Sequence, residues 1–196
     1  MTSGEIILVR HGQSTWNGER RWAGQADPPL SDLGRKQGVE LARRCRGAGI
    51  DAVATSDLCR ARQTGLIVAQ ALELAPPVEL PDLRERWSRT LTGLTAEEIE
   101  QTFPGALAAW RAGTTTDLPG DSEAYGAFAR RVLLGLQAAA ALASVVLVVA
   151  HAGVFRAVGN RADAGAQVAN TAGRRLLLGA DGISDNGPAF ASIDPA

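Results

Sequence analysis

The chain contains two histidines, and both stand in the same setting. Glu5-Ile6-Ile7-Leu8-Val9 is an apolar, β-rich run that reads as a buried strand, and Arg10-His11-Gly12 follows where that strand must end. Val145-Val146-Leu147-Val148-Val149-Ala150 is a second such run, followed by His151-Ala152-Gly153. In open α/β sheets, ligands bind just beyond the carboxyl ends of strands. Satisfied core histidines seldom both occupy strand ends beside small residues, so the pattern predicts one shared site. Continuous apolar runs of this kind read as central parallel strands of an α/β domain.

The stretches between these runs alternate in character. Residues 21–30, rich in Gly, Pro and Asp, read as a loop in which Trp22 is either a pocket wall or an anchor. Ser31 is a candidate N-cap for a helix with Leu41, Ala42 and Cys45 on its apolar face. Residues 51–56 read as a short strand. Leu58, Ala61, Gly65, Val68 and Leu72 then mark an amphipathic helix, with Arg60 and Arg62 in its first turn. A helix N-terminus favours anions and is a poor place for arginine. An anion held between arginine and helix end would resolve that conflict; a solvated surface arginine is the alternative.

Thr95-Ala96-Glu97-Glu98 is a capping box ahead of a short helix, and another helix is expected from Pro104 through Trp110. Residues 132–150 approach the length of a transmembrane helix. However, Tyr125, Phe128, Val132, Leu136, Ala140 and Ala143 keep helical spacing, and from Val145 the residues become β-branched and continuous. Helix followed by strand is the reading. Arg174 to Leu178 is expected as a last strand, and residues 182–188 as a turn-rich tail. The chain shows no internal repeat or linker and reads as one domain, residues 1–196, with a helical, lid-like insertion at about 94–125.

Several separated motifs together resemble the histidine phosphatase superfamily over about residues 5–170, and the resemblance implies its phosphoglycerate-mutase-like fold, a three-layer α/β/α sandwich with a mostly parallel central sheet. The first is strand-Arg-His-Gly-x-Ser-x-x-Asn, here Arg10, His11, Gly12, Ser14 and Asn17. The second is Ser-x-Leu-x-Arg-Ala-x-x-Thr, on Ser56, Leu58, Arg60, Ala61 and Thr64. The third is Leu83-Arg84-Glu85, and the fourth is His151 itself. Pro119-Gly120-Asp121-Ser122 resembles the family's Gly-Gly-Glu-Ser turn, with Asp121 in the acidic place. Two departures stand out. Arg89 and Leu91 replace the family's usual glycine and aromatic ahead of Gly93-Leu94-Thr95, and only residues 152–169 separate His151 from Asn170.

The resemblance implies a phosphomonoester hydrolase of the phosphatase branch, a histidine acid phosphatase-type enzyme. His11 would be the nucleophile that forms a phosphohistidine. Arg10, Arg60 and His151 would hold the transferring group, and Glu85 would serve as general acid and then base. Read without the resemblance, Glu85 pairs with a neighbouring arginine on the surface. Gly12, Gln13, Ser14, Asn17, Trp22, Gly24 and Ala152 are the weaker expected contacts to phosphate or substrate, and Arg62 is expected at the surface.

Net charge is -1, so no polyanion-binding surface is indicated, and neither nucleic acid nor membrane is expected as a partner. Cys45 and Cys59 lack metal-ligand spacing and read as free thiols of a reducing cytosol. The start of the chain runs straight into the first strand without a signal-peptide pattern. The expectations are therefore a cytoplasmic enzyme with no metal or cofactor and a small phosphorylated substrate, with a homodimer left open. The alternative activity is a cofactor-dependent phosphoglycerate-mutase-type phosphotransferase. Against it, residues 95–124 carry one basic residue, Arg111, to hold a phosphorylated acid. A further alternative is a non-catalytic phosphate-binding module.

Overall fold

Alternate residues of the first strand, β1 (Gly4–Arg10), enter two separate cores. Ile6 and Leu8 join one, while Ile7 and Val9 join the other. Strand β4 (Val145–Ala150) divides in the same way: Val146, Val148 and Ala150 go to the first core, Leu147 and Val149 to the second. A strand buried on both faces needs the continuous apolar sequence that both runs have. This computed structural model describes residues 4–159, 168–179 and 182–190.

Three further elements cover one face or extend the sheet. They are α2 (Asp32–Cys45), β2 (Ala52–Thr55) and α3 (Cys59–Ala71). A four-residue helix, α1 (Thr15–Gly18), follows His11 directly. Strand β3 (Val78–Glu79) precedes a 3-10 turn over Pro81–Leu83. The insertion carries two short helices, α4 (Ala96–Thr102) and α5 (Ala106–Arg111). Then come α6 (Tyr125–Ala140), α7 (Ala152–Val158), β5 (Gly173–Gly179) and β6 (Gly182–Phe190).

The sheet order is β3-β2-β4-β1-β5-β6. The first four strands are parallel, and β5 and β6 are added antiparallel. Leu41, Ala42 and Cys45 of α2 pack with Ala61, Val68 and Ala69 of α3 on one face. Phe128, Val132 and Leu136 of α6 pack with Val154 and Phe155 of α7 on the other. The three layers thus match the expected sandwich. The parallel β1–β4 register pairs Arg10 with Ala150, which brings His11 and His151 to the same sheet edge.

Local signals behave as the residue types dictate. Ser31 Oγ accepts from the Gly34 N–H at 3.0 Å and starts α2. Thr95 and Glu98 exchange the capping-box bonds that start α4. The suspected long apolar stretch divides into α6 and β4, and among the described residues no helix is long and apolar enough to cross a membrane. The tail is a correction: residues 182–190 form strand β6, not a run of turns. The open edge of β5 supplies its hydrogen bonds, and two register shifts with Gly187 at φ +90° absorb the turn-forming residues. Residues 160–167 of the short segment after His151 lie outside the described residues.

Candidate active site

The first turn after β1 is packed backbone against backbone. A Cβ on Gly34 would stand 2.0 Å from the Gln13 carbonyl oxygen, and one on Gly12 would stand 2.5 Å from the Gly34 carbonyl oxygen. Only glycine at both positions lets α2 approach this closely. The close approach holds His11 in place, and Asn170 donates its side-chain N–H to the His11 carbonyl at 2.8 Å.

His11 is buried, and its Nδ1 lies 2.6 Å from the Gly12 carbonyl oxygen. A carbonyl can only accept, so Nδ1 carries the proton and Nε2 bears the lone pair. Burial first, then the Arg60 and Arg10 charges, holds the His11 pKa well below the usual imidazole value. The ring is therefore neutral with Nε2 unprotonated, the form a nucleophile requires.

Arg60 reaches Nε2 of His11 with its Nε at 3.2 Å. Its two terminal nitrogens each donate at 2.8 Å, to the carbonyls of Ala26 and Gly24. The loop over residues 22–27 thereby grips the guanidinium, and Asp27 caps the Cys59 N–H at the start of α3. The arginine misplaced at a helix N-terminus is thus a buried side chain turned toward His11. Burial lowers its pKa to about 10, so it stays charged at neutral pH. Arg62 is exposed and pairs loosely with Glu79, as expected.

His151 is fully buried, its ring centroid 5.1 Å from that of His11. Burial first, and then chiefly the Arg60 charge, holds its pKa well below the usual imidazole value as well. Among the described residues neither of its ring nitrogens has a partner, nor does Nε of Arg10, whose terminal nitrogen donates to the Val168 carbonyl. Buried polar atoms without partners cost stability and point to an absent ligand.

Glu85 stands across from this group. Its Oε1 accepts from the Arg86 N–H at 2.8 Å and its Oε2 from the Gly153 N–H at 3.0 Å. Its backbone carbonyl is held by Gln25 and Arg131. The neighbouring arginines do not pair with the carboxylate. Arg84 bonds Asp57, and Arg86 donates to the Glu123 and Thr116 carbonyls.

Arg10, His11, Arg60 and Glu85 line a cavity of about 210 Å³ together with Asn17, Trp22, Gly24, Ala152 and Gly153, and His151 lies behind the His11 ring rather than in the lining. That is below the range typical of drug-sized ligands, so the cavity suits a small metabolite. Trp22 is both wall and anchor: it lines the cavity, and its backbone bonds Leu94 and Gly93. Gly12, Gln13 and Ser14 do not line the cavity. Gly12 packs on Gly34, the Gln13 amide oxygen accepts from Ser31, and Ser14 with Asn17 forms the capping box of α1. Capping geometry, which the sequence displays, outcompetes ligand contact for Ser14.

The sequence reading missed several pocket residues. Arg21, Arg86 and Arg156 line the cavity from outside the insertion, so the pocket holds more cations than Arg111 alone suggested. Glu123 is buried and pairs with Arg131, whereas Asp121, taken as the acidic turn residue, is exposed and pairs with Arg89. Among the described residues no cluster of three or more His, Cys, Asp or Glu could hold a metal.

A neutral imidazole facing arginine at the carboxyl edge of parallel strands is the arrangement of a candidate anion site in an α/β fold. The chain belongs to the histidine phosphatase superfamily (branch 1), whose pattern matches residues 6–177. A metal-independent phosphoserine phosphatase of Arabidopsis thaliana is 37% identical over 158 residues, 79% of this chain and 66% of that protein. The match thus takes in just under two thirds of that relative's length. A phosphoglycerate mutase-like protein 4 of the same plant is 35% identical over 81% of this chain and 70% of its own length. In structure, a mycobacterial glucosyl-3-phosphoglycerate phosphatase in complex with VO3 superposes with a TM-score of 0.81 at 27% identity, covering 94% of this chain and 98% of that one.

Proposed function

We propose that the chain hydrolyses small phosphomonoesters through a phosphohistidine on His11. The observation that carries this reading is the Nδ1 bond of His11 to the Gly12 carbonyl, which leaves the Nε2 lone pair beside Arg60 in the cavity. Nε2 attacks phosphorus while the bond to the leaving oxygen breaks, and Glu85, entering the step as the acid, protonates that oxygen. Water then attacks the phosphohistidine, Glu85 takes its proton, and the P–N bond breaks to release phosphate and neutral His11. Arg10, Arg60 and His151 stabilise the equatorial oxygens throughout. The paired relatives act on phosphoserine and glucosyl-3-phosphoglycerate by name, which supports a hydrolase for a phosphorylated metabolite. The two free thiols support a reducing, cytoplasmic setting.

A phosphoryl-labelled phosphomonoester quenched rapidly in alkaline denaturant should leave an alkali-stable, acid-labile phosphoryl adduct on His11, absent in His11→Ala. A folded His11→Ala protein with undiminished turnover overturns the mechanism.

The mutase reading keeps one observation in its favour, the arginines that line the cavity from outside the insertion. Supplying 3-phosphoglycerate with catalytic 2,3-bisphosphoglycerate separates the two. Phosphate release without isomer exchange is the expected outcome; rapid exchange without phosphate release would make the chain a mutase.

A further inference from the structure

Arg156 differs from every other arginine in the cavity. Arg10, Arg21, Arg60 and Arg86 each donate to at least one backbone carbonyl. The Arg156 guanidinium has no hydrogen bond or ion pair among the described residues, and its NH1 is buried. Its position is nevertheless fixed. The guanidinium carbon sits 3.7 Å from the centroid of the Trp110 ring, and Tyr125 Oη donates to the Arg156 carbonyl. Stacking on an aromatic face orients a guanidinium while leaving its in-plane N–H donors free.

Its place in the sequence of elements says which part of a substrate it meets. Gly153 and Arg156 are three residues apart on α7, hence neighbours on one face. Gly153 N–H holds the Glu85 carboxylate. Resting on the proposed reaction, in which Glu85 protonates the leaving oxygen, Arg156 stands on the leaving-group side of the phosphoryl site. A half-buried, oriented guanidinium without a hydrogen bond or ion pair there is a fork for an anion. With a cavity of about 210 Å³ shared with the phosphoryl group, a carboxylate fits the remaining space better than a second phosphoryl group.

We infer that Arg156, stacked on Trp110, is a specificity residue that binds a carboxylate on the alcohol portion of the substrate, so that the substrate class is phosphorylated hydroxy acids. The matched pair 3-phosphoglycerate and glycerol 3-phosphate tests this, because the two differ by a carboxylate against a hydroxymethyl group. The parent should prefer the acid in kcat/KM by about 10- to 100-fold, the range of one charge-assisted hydrogen-bonded contact. Arg156→Gln should collapse that ratio, and Arg156→Lys should restore part of it. Binding of both compounds to His11→Ala and to His11→Ala/Arg156→Gln reads the same preference without turnover. A preference seen in binding, with no hydrolysis by the parent, would sink the hydrolase reading and leave the subsite standing. Hydrolysis with an equal ratio in parent and Arg156→Gln would sink the subsite and leave the hydrolase. Loss in Arg156→Gln confined to glycerol 1,3-bisphosphate would assign Arg156 to a second phosphoryl group and overturn the carboxylate.

Discussion

A Cβ placed on Gly153 would stand 2.0 Å from Oε1 of Glu85. The absence of a side chain at the start of α7 is what lets the carboxylate reach the Gly153 N–H. Gly153→Ala should therefore push the flexible end of Glu85 aside while leaving the helix intact. Alanine is the better helix former by about 1 kcal/mol, but its Cβ also comes within 3.1 Å of Phe128 Cζ in the core, so the melting temperature should stay close to the parent's. Turnover of alkyl phosphates should fall by about 10²–10⁴, the usual contribution of a general acid. Activated aryl phosphates, which leave with little protonation, should lose much less. Glu85→Gln should show the same contrast, and equal losses on both ester classes in both variants would remove Glu85 from proton transfer.

Arg60 should be the residue through which anions stabilise the protein. Vanadate at a hundred times its Kd should raise the parent's stability by about 2.7 kcal/mol. Arg60→Ala removes the donor beside His11 and frees the Gly24 and Ala26 carbonyls. Thermal melts with and without vanadate should show most of the protection gone. Full protection of the variant would place the anion elsewhere.

Arg131 ties the segment that leads into Glu85 to α6. It pairs with buried Glu123 at 2.8 Å and donates to the Asp82, Arg84 and Glu85 carbonyls. Arg131→Met should cost about 3–5 kcal/mol, because it leaves a buried carboxylate without its partner. Adding Glu123→Gln should recover part of that loss. Chemical denaturation of both variants measures the coupling, and a single-variant loss under 1 kcal/mol would mean that the pair is replaceable.

Stability should rise with pH between about 5 and 6.5. Both histidines have folded pKa values well below the usual 6.5, chiefly through burial. Below that value the unfolded chain binds protons that the folded chain refuses, so their contribution is complete above about 6.5 and shrinks as pH falls. The slope is about 1.4 kcal/mol per pH unit for each histidine. Denaturant titrations at several pH values should show it, and His151→Gln should roughly halve it. A flat profile across this window would mean that the rings are charged in the folded state.

Much of this architecture is legible in local patterns. Continuous apolar runs mark β1 and β4, because a strand covered on both faces has no polar alternation. Ser31 and the Thr95–Glu98 box mark helix starts, because a cap is a contact within four residues. His11 and His151 stand out through their shared setting at strand ends, Arg60 and Glu85 through the family resemblance of their motifs, and the fold brings His11, Arg60 and Glu85 to one cavity with His151 directly behind it.

What tertiary structure alone decided are the pairings between distant segments. Strand β6 forms because β5 offers an open edge, which no turn-rich sequence announces. Ser14 turns to cap α1, and Gly12 turns to Gly34, because packing claims them first. Arg156 lies in what reads as an ordinary helical turn. Only the approach of Trp110 from the insertion and of Glu85 from the segment after β3 places it in the cavity. Local sequence sets which elements form, since capping and periodicity act over a few residues. Which side chains face a ligand is set by contacts many residues apart, and these exist only once the layers have packed.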